Sequence, residues 1–241
     1  MAQRYFVPSL PPPGASTLRG ELAHHLGRVV RARPGETICL ADGRGGSAPA
    51  TVVAVAKDAV QLEVQAARQQ PRPVTVLLVA FAPPRLQRAE WLLEHGTEVG
   101  IDVFQPLWTE RSRPHGERLE RWQRIALAAA GQCGRDWLPE VRAARELALF
   151  LSDPTLPTHR LVATEGAPPL SRRRRAPTGP AGVVWLVGPE GGFTEAEQHA
   201  IAAAGFAACG LGPHTLRTET AALVGAAWLR AGEFADPGPG R

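Results

Sequence analysis

The sequence predicts an α/β protein in two parts, with a small β domain over residues 1–70 and a larger α/β domain with a parallel sheet over residues 74–235. Two observations predict this division. Val60–Val64 alternates strictly between apolar and polar residues, as a strand with one buried face does. Val74–Phe81 is continuously apolar, as expected of a parallel strand buried on both faces. Pro71-Arg72-Pro73 lies between the two patterns and is typical of a linker, because prolines interrupt helices and strands alike.

Short strands are expected throughout the first part. Thr37–Leu40 has strand-like composition, and Asp42-Gly43 directly after it is a strong signal for a tight turn. Val52–Val55 and Val60–Val64 follow as two further strands. Together these segments predict a small antiparallel barrel or meander.

In the second part, strand-like and helix-like segments alternate along the chain. Such alternation predicts a parallel sheet with helices on both faces. Thr194 and Glu197 fit a capping box, which marks the start of a helix. The expected strands after Val74–Phe81 are Val103–Leu107, Arg160–Thr164, Val183–Val187 and Ala207–Leu211, and the expected helices are Leu86–Val99, Leu119–Ala130, Thr194–Ala204 and Glu219–Arg230.

Composition limits the classes of protein that this chain can represent. The formal net charge of the 241 residues is +4, and Lys57 is the only lysine among 27 basic residues. Arginine suits phosphates and stacked bases, so an RNA partner is one interpretation and a GC-rich coding sequence is the other. The longest apolar runs, such as Val74–Ala82, are far shorter than the roughly 20 residues of a membrane span. Three scattered cysteines and no signal-like N-terminus indicate a reducing cytoplasm and no membrane association.

Several common catalytic and binding motifs are absent from the chain. The sequence contains no Walker A motif, no HExxH zinc motif and no GxSxG nucleophile motif. Gly43–Ala48 matches a dinucleotide-binding pattern formally, but Pro49 and a β pattern follow it instead of a helix. His24-His25 has no carboxylate or cysteine nearby in the sequence, so we expect no metal site.

Two glycine-rich segments, Gly188–Phe193 and Leu211–Ala221, each follow a predicted strand and precede a predicted helix. Glycine lets the main chain approach a ligand closely, because no Cβ intervenes. Ligands of open α/β sheets bind at the carboxyl ends of the strands. We therefore expect a pocket formed largely by main-chain groups, although a simple tight connection is the plainer alternative.

Glu190 and Arg217 are the charged residues of these segments that suit chemistry. A carboxylate among glycines can accept a hydrogen bond from a ligand or act as a general base. Thr218 is expected to cap the next helix, with Glu219 in its first turn. Arg217 then lies at the end of the helix that disfavours positive charge, which favours a role in binding a phosphate or a substrate oxygen.

Arginines near the N-terminus indicate a surface for nucleic acid. Arg4-Tyr5 joins a cation to an aromatic ring that suits stacked bases, although Tyr5 as a core residue is the alternative. Arg28, Arg31 and Arg33 extend this predicted RNA face of the β domain.

Further arginines follow successive strand and helix units. Arg111, Arg113 and Arg135 are therefore expected at one edge of the sheet, where Arg111 and Arg135 are expected to bind RNA. Gly134 is expected as a helix C-cap. Arg172–Arg175 is a dense basic run, which is more typical of a solvated loop than of a nucleic-acid clamp.

Taken together, these segments resemble the RsmE methyltransferases. That family belongs to the SPOUT class and methylates N3 of a uracil in 16S ribosomal RNA of the small ribosomal subunit. The matches extend over nearly the whole chain in the order expected of the family. Besides the two glycine-rich segments they are Arg4-Tyr5-Phe6-Val7, His24-His25-Leu26 with Val30-Arg31, Thr97-Glu98-Val99-Gly100, Glu110-Arg111-Ser112 and Gln132-Cys133-Gly134-Arg135.

The resemblance implies a PUA-like β-barrel followed by a trefoil-knotted α/β domain. It also implies a homodimer with the substrate site at the subunit interface, S-adenosylmethionine as the cofactor and no metal. On this basis Glu190 is expected to take the uracil N3 proton, and Arg217 to stabilise negative charge on the uracil oxygens. The residues implied to bind the cofactor are Thr164, Glu165, Gly188, Pro189, Gly191, Gly192, Leu211, Gly212, Leu216, Thr218 and Ala221.

The chain departs from the family pattern at two places. Glu94-His95 stands where relatives tend to have a Gln-Lys pair, and Pro83-Pro84-Arg85 replaces a region with a usual lysine. Arg85 or Arg88 is therefore expected to bind phosphate instead. Two other functions stay open at this point: an enzyme for another RNA position, and a non-catalytic protein of RNA binding or ribosome assembly.

Overall fold

A computed structural model describes residues 3–112, 118–170 and 182–234. The chain divides into two compact units. The first unit comprises Met1–Arg72 and Leu127–Leu138, and the second comprises Pro73–Ala126 and Pro139–Arg241. None of the helices in the described part of the chain is long and apolar enough to cross a membrane.

The first unit is a mixed β-sheet with a short helical segment after β2 and the C-terminal part of a longer helix. Its strands lie in the order β1-β3-β4-β5-β2, and β6 pairs with β4. All pairings are antiparallel except that of β1 with β3, which is parallel and which the sequence did not predict. The strands are β1 (Arg4–Phe6), β2 (Gly14–Arg19), β3 (Thr37–Ala41), β4 (Gly46–Val55), β5 (Ala59–Val64) and β6 (Arg68–Gln69).

One hydrophobic core lies beneath this sheet. The alternation predicted for β5 is confirmed, because Val60, Leu62 and Val64 are buried while the residues between them are exposed. Helix α1 (Gly20–His24) continues into a π-helical segment, His25–Val30, that contributes a fully buried side chain, Leu26, to the same core. Burial of the apolar side chains of β3, β4, β5, Ala23 and Leu26 stabilises this small unit.

Residues Leu127–Leu138 belong to the first unit through specific contacts. Gly131 packs so closely on the main chain of Arg4 that a Cβ there would lie 2.8 Å from the Arg4 oxygen. Asp136 accepts a hydrogen bond from Nε of Arg4 at 2.7 Å, and Nε1 of Trp137 donates to the carbonyl of Gln70 at 3.1 Å. This long-range assignment has no local signal in the sequence.

The second unit is a parallel sheet with helices on both faces, as predicted. Its strand order is β10-β8-β7-β12-β11-β13, with β9 paired to β8, and every pairing is parallel. The strands are β7 (Leu77–Phe81), β8 (Val103–Trp108), β9 (Glu140–Val141), β10 (Arg145–Glu146), β11 (His159–Ala163), β12 (Val183–Val187) and β13 (Ala207–Cys209), and the helices are α2 (Leu86–Glu98), α3 (Leu119–Cys133), α4 (Leu147–Leu151), α5 (Glu195–Ala203) and α6 (Thr218–Phe234). The part of α3 from Leu127 onward belongs to the first unit.

Strand β7 shows why the sheet is apolar on both sides. Val79 packs in a core cluster with residues of α2 and α6, whereas Leu78 packs in a second cluster with residues of α4 and α5. The strand begins at Leu77 and not at Val74, which is 68% exposed. The continuous apolar run therefore marks a central strand, although its predicted start was too early.

Helix α6 returns from the edge of the sheet to its centre. Strand β13 is the last strand at one edge, yet α6 packs on β12, β7 and α2. Gly225 permits this approach, because a Cβ at that position would overlap the indole of Trp185, whose Nε1 donates to the carbonyl of Ala221 at 3.1 Å. This return crossing agrees with the trefoil knot that the resemblance implies.

Candidate active site

Three loops at the carboxyl ends of β11, β12 and β13 surround a cavity of about 630 Å³. Thr164 and Glu165 follow β11, Gly188–Phe193 follows β12, and Leu211–Thr218 follows β13. Helix α5 adds apolar atoms from Ile201 to the wall. The volume lies within the range of about 300–1,000 Å³ that is typical of small-molecule sites.

Side-chain hydrogen bonds join the three loops to one another. The hydroxyl of Thr218 donates to the carbonyl oxygen of Gly188 at 2.9 Å. The hydroxyl of Thr215 donates to Oε1 of Glu165 at 2.7 Å. The loop after β12 also turns on itself, since Gly192 has a positive φ of 69° and its amide donates to the carbonyl of Pro189 at 2.8 Å. The cavity walls are thus fixed to one another.

The predicted capping box at the start of α5 is confirmed. Oγ1 of Thr194 accepts the amide hydrogen of Glu197 at 3.3 Å, and Oε2 of Glu197 accepts that of Thr194 at 2.9 Å. The other oxygen of Glu197 accepts the amide hydrogen of Glu110 at 2.8 Å. One buried carboxylate therefore holds the end of the cavity loop to the segment after β8.

The cavity includes most of the residues that the sequence analysis assigned to the cofactor. All of them except Gly191 line it, and Gly191 lines a neighbouring cavity instead. The apolar wall was not predicted, because its residues come from β13, α5 and the loop ends and carry no motif. The additional lining residues include Phe193, Gln198, Ile201, Ala202, Phe206, Ala208, Cys209, His214 and Thr215.

A second cavity of about 580 Å³ lies beside the first. The two cavities share Pro189, Glu190 and Thr218. Arginine side chains and one tryptophan distinguish the second cavity from the first. Its lining includes Arg85, Arg111, Arg118 and Trp122. Cations beside an indole ring suit a ligand with phosphates and a flat base.

Glu190 lies between the two cavities and is already engaged by an arginine. Nη1 of Arg88 lies 2.5 Å from Oε1 of Glu190, whose side chain is 53% exposed. Nε of the same Arg88 lies 3.6 Å from Oε1 of Glu219, which is buried. Arg88 is thus held by two carboxylates, so the expected phosphate role fits Arg85, which lines the second cavity, better than Arg88.

The structure corrects the expected cap of α6. The helix begins at Thr218, whose hydroxyl donates to Gly188 and does not cap the helix. The carbonyl of Arg217 accepts the first helical hydrogen bond from Ala221 at 2.8 Å. The Arg217 side chain is exposed and lies outside the lining of both cavities.

The RNA-binding candidates of the first unit separate into two groups. Arg28, Arg31 and Arg33 are exposed. Tyr5 is 5% exposed within the core, where burial raises the pKa of its phenol. The expected stacking role therefore does not fit the placement of Tyr5, and Arg4 is engaged with the buried Asp136.

The remaining arginine candidates belong to different units. Arg111 belongs to the second unit, where its Nη1 donates to the carbonyl of Gly191. Arg135 belongs to the first unit, where its Nε donates to the carbonyl of Trp137 at 3.2 Å. Gly134 has a positive φ of 82° and ends α3, as predicted. Arg113 and Arg172–Arg175 lie outside the described residues.

Within residues 3–112, 118–170 and 182–234 there is no group of three or more histidine, cysteine, aspartate or glutamate side chains that could hold a metal ion. The polar groups of the two cavities are main-chain atoms, hydroxyls, arginines, two glutamates, the Gln198 amide and the His214 imidazole. This set suits an organic ligand and an anionic partner.

Two family models match the chain. A model described as an RNA methyltransferase domain matches residues 70–230, and one described as an RNA methyltransferase PUA domain matches residues 18–65. The fold and the cavity therefore define an RNA methyltransferase that carries a PUA domain.

Individual relatives identify a narrower family within this class of RNA methyltransferases. The ribosomal RNA small subunit methyltransferase E of a Synechocystis strain is 36% identical over 220 residues, which is 89% of this chain and 72% of that protein. Among solved structures, the corresponding enzyme of Neisseria gonorrhoeae bound to S-adenosyl methionine has a TM-score of 0.84 and 29% identity, with 96% of this chain and 98% of that chain covered. The chain belongs to the ribosomal RNA small subunit methyltransferase E family.

A further solved structure is that of a methyltransferase from Legionella pneumophila in complex with the bound cofactor SAM. It has a TM-score of 0.85 and 28% identity, and covers 96% of this chain and 98% of that chain. This structural similarity extends over both units of the chain, so it includes the residues that each of the two family models matches.

Proposed function

We propose that this protein methylates N3 of a uracil in the 16S ribosomal RNA of the small ribosomal subunit, with S-adenosylmethionine as the methyl donor. The observation that supports this proposal most strongly is the loop cavity at the ends of β11, β12 and β13. This cavity adjoins an arginine-lined cavity at Glu190. Membership of the family supports the RNA substrate, and two similar structures that contain this cofactor support the donor.

The residues of the first cavity fit S-adenosylmethionine. The main chain at Gly192 and Gly212 is open to a ligand. Neither glycine has a side chain, and no heavy atom lies within 4 Å of the position that a Cβ would occupy. Ile201 and Phe206 give apolar surface, whereas Glu165 and Thr215 give polar groups. We propose that all of the cofactor-binding residues named from the sequence, apart from Gly191, hold this ligand. When bound, S-adenosylmethionine supplies a methyl group on a positively charged sulfur.

The protein then has two tasks at the uracil. N3 carries a proton at neutral pH, and we assign Glu190 to accept it because this carboxylate borders both cavities. Arg217 stabilises the negative charge on the uracil oxygens. Arg85, Arg111 and Arg118 of the second cavity bind the RNA beside the base.

The proposed enzyme works as a homodimer in the cytoplasm, with the RNA site completed at the subunit interface. This part rests on the family resemblance. The exposed Arg217, which lies outside both cavities of the single chain, suits a site that a second copy completes. Light scattering of the purified protein measures the dimer directly, and a monomer that is fully active would overturn it.

The test is methyl transfer from labelled S-adenosylmethionine to purified small subunits and to naked 16S RNA. We expect label in the RNA, and we expect Arg217→Ala to lower turnover by about 100-fold or more, as loss of a charge-stabilising group does. Wild-type turnover by Arg217→Ala with an intact fold would remove that residue from the site. Calorimetry that detects no binding of S-adenosylmethionine would leave only a non-catalytic RNA-binding role.

A further inference from the structure

Arg88 joins three segments that meet at the carboxyl edge of the second sheet. It lies in the first turn of α2, and its guanidinium contacts Glu190 of the loop after β12 and Glu219 in the first turn of α6. A positive charge in the first turn of a helix opposes the helix dipole. The two carboxylates compensate for this unfavourable position.

The two carboxylates differ in the polar contacts that compensate their negative charge. Glu190 is about half exposed and has the shorter contact, at 2.5 Å. Glu219 is buried and has only a 3.6 Å ion pair to Arg88, and its Oε2 has no hydrogen-bond partner among the described residues. A buried carboxylate without hydrogen bonds is costly, whereas water can replace a partner of an exposed one.

This imbalance gives the guanidinium a second place to bind. We propose that Arg88 is a movable positioning residue: it pairs with Glu190 in the free protein and shifts onto Glu219 when the substrate base reaches Glu190. The inference rests on the proposed function. The shift leaves the Glu190 carboxylate free to take the N3 proton, and the electron pair of that N–H bond stays on the nitrogen.

The arrangement of charges around Glu190 supports the direction of the shift. Arg85, Arg111 and Arg118 line the same cavity, so the carboxylate keeps cations nearby after Arg88 leaves. Glu219 lines neither cavity, and therefore it receives Arg88 without meeting the ligand. Arg88 has the planar fork that a carboxylate binds in a bidentate manner.

The first test is structural and needs no activity. In a crystal structure of the Glu190→Gln variant, we expect the Arg88 guanidinium to bind both oxygens of Glu219 at about 2.7–2.9 Å. This variant changes an exposed side chain and should fold. A guanidinium that stays 3.6 Å from Glu219, or turns to solvent, would overturn the proposal.

The second test is kinetic and uses Glu219→Gln. The neutral amide attracts Arg88 less, so Glu190 stays paired with Arg88 and is less available as a base. We therefore expect kcat to fall about tenfold, which lies within the contribution of general-base catalysis. KM for both substrates should stay within about twofold, since Glu219 lines neither cavity. Glu90→Gln, which removes the ion pair between α2 and Arg121 of α3, is the matched control and should keep wild-type kcat.

The outcomes separate this proposal from the proposed function. A wild-type protein that methylates no RNA would contradict the function, while the Glu190→Gln structure still decides whether Arg88 moves. A wild-type enzyme that is active, with a Glu219→Gln variant of unchanged kcat, would contradict the movement of Arg88 alone. If Glu219→Gln does not fold, the Glu190→Gln structure gives the decision.

Discussion

Thr218 and Gly188 are joined by a hydrogen bond of 2.9 Å from the threonine hydroxyl to the glycine carbonyl oxygen. The two residues are 30 positions apart and belong to the two glycine-rich loops that the sequence singles out. Thr218 is 3% exposed, so the bond is shielded from water. It fixes the start of α6 against the loop after β12, and Thr218 lines both cavities.

Thr218→Val tests this connection. Valine keeps the shape but leaves the Gly188 carbonyl without its donor, so we expect a loss of about 1–3 kcal/mol in the free energy of unfolding and weaker binding of S-adenosylmethionine. Urea denaturation and calorimetry measure the two effects. Thr220→Val on the same turn, a half-buried position outside both cavities, is the control. Equal affinity in the two variants would show that the hydroxyl does not shape the cavity.

Arg4 is expected to stabilise the first unit. The side chain of Asp136 is 1% exposed and pairs with Arg4 at 2.7 Å and with the more exposed Arg68 at 3.5 Å. Arg4→Ala leaves a buried charge nearly unpaired and should cost about 3–5 kcal/mol in the free energy of unfolding. Arg68→Ala should cost about 1 kcal/mol or less. Equal losses in the two variants, measured by chemical denaturation, would refute the assignment.

Asp153 predicts a dependence of stability on pH. The hydroxyl and amide of Thr155, followed by Arg145, lower the pKa of Asp153 to about 2. A carboxyl whose pKa is lower in the folded state contributes stability above its unfolded pKa of about 3.9, and that contribution is lost as the pH falls through the folded pKa. Asp153→Asn should therefore be less stable than the wild type at pH 7.

Denaturation at a series of pH values measures this effect. The difference between Asp153→Asn and the wild type should shrink between about pH 4 and pH 2. Glu146→Gln, at an exposed position nearby, should change the free energy of unfolding by no more than about 0.5 kcal/mol. If the difference in the free energy of unfolding between Asp153→Asn and the wild type does not change with pH, the substitution acts through side-chain shape and not through loss of the charge.

Arg85→Ala tests whether the second cavity binds RNA. Loss of one phosphate contact should weaken RNA binding similarly for all sequences and reduce the slope of log K against log salt concentration by about 1. The affinity for S-adenosylmethionine should be unchanged, because Arg85 does not line the first cavity. Arg142→Ala, which removes an exposed ion pair with Glu140, serves as the control. An unchanged salt slope for Arg85→Ala would exclude a phosphate contact.

Local patterns predicted much of the second unit. The Thr194 and Glu197 capping box is a signal of four residues, and it forms as expected. Helix α2 begins at Leu86 as predicted, and β12 has the predicted bounds. Glycines between strands and helices indicated the loop cavity, because the requirement for bare main chain is visible in the sequence itself.

Long-range pairings could not be predicted in this way. The parallel pairing of β1 with β3 joins segments more than 30 residues apart, and Leu127–Leu138 packs with the first unit through Asp136 and Trp137. The Thr218 hydroxyl could either cap α6 or donate a hydrogen bond to another loop. The position of the Gly188 carbonyl, which local sequence does not reveal, decides between these two roles. Packing, and not propensity, determines each of these features.

The identity of the methylated nucleoside is the sharpest test of the proposed function. Purified small subunits that lack the modification are incubated with the protein and S-adenosylmethionine, and the 16S RNA is digested and measured by mass spectrometry. We predict 3-methyluridine at a single site, with none formed when the Glu190→Gln variant replaces the wild type. A methyl group on another nucleoside, or no methylation by a protein that binds S-adenosylmethionine, would contradict the proposed function.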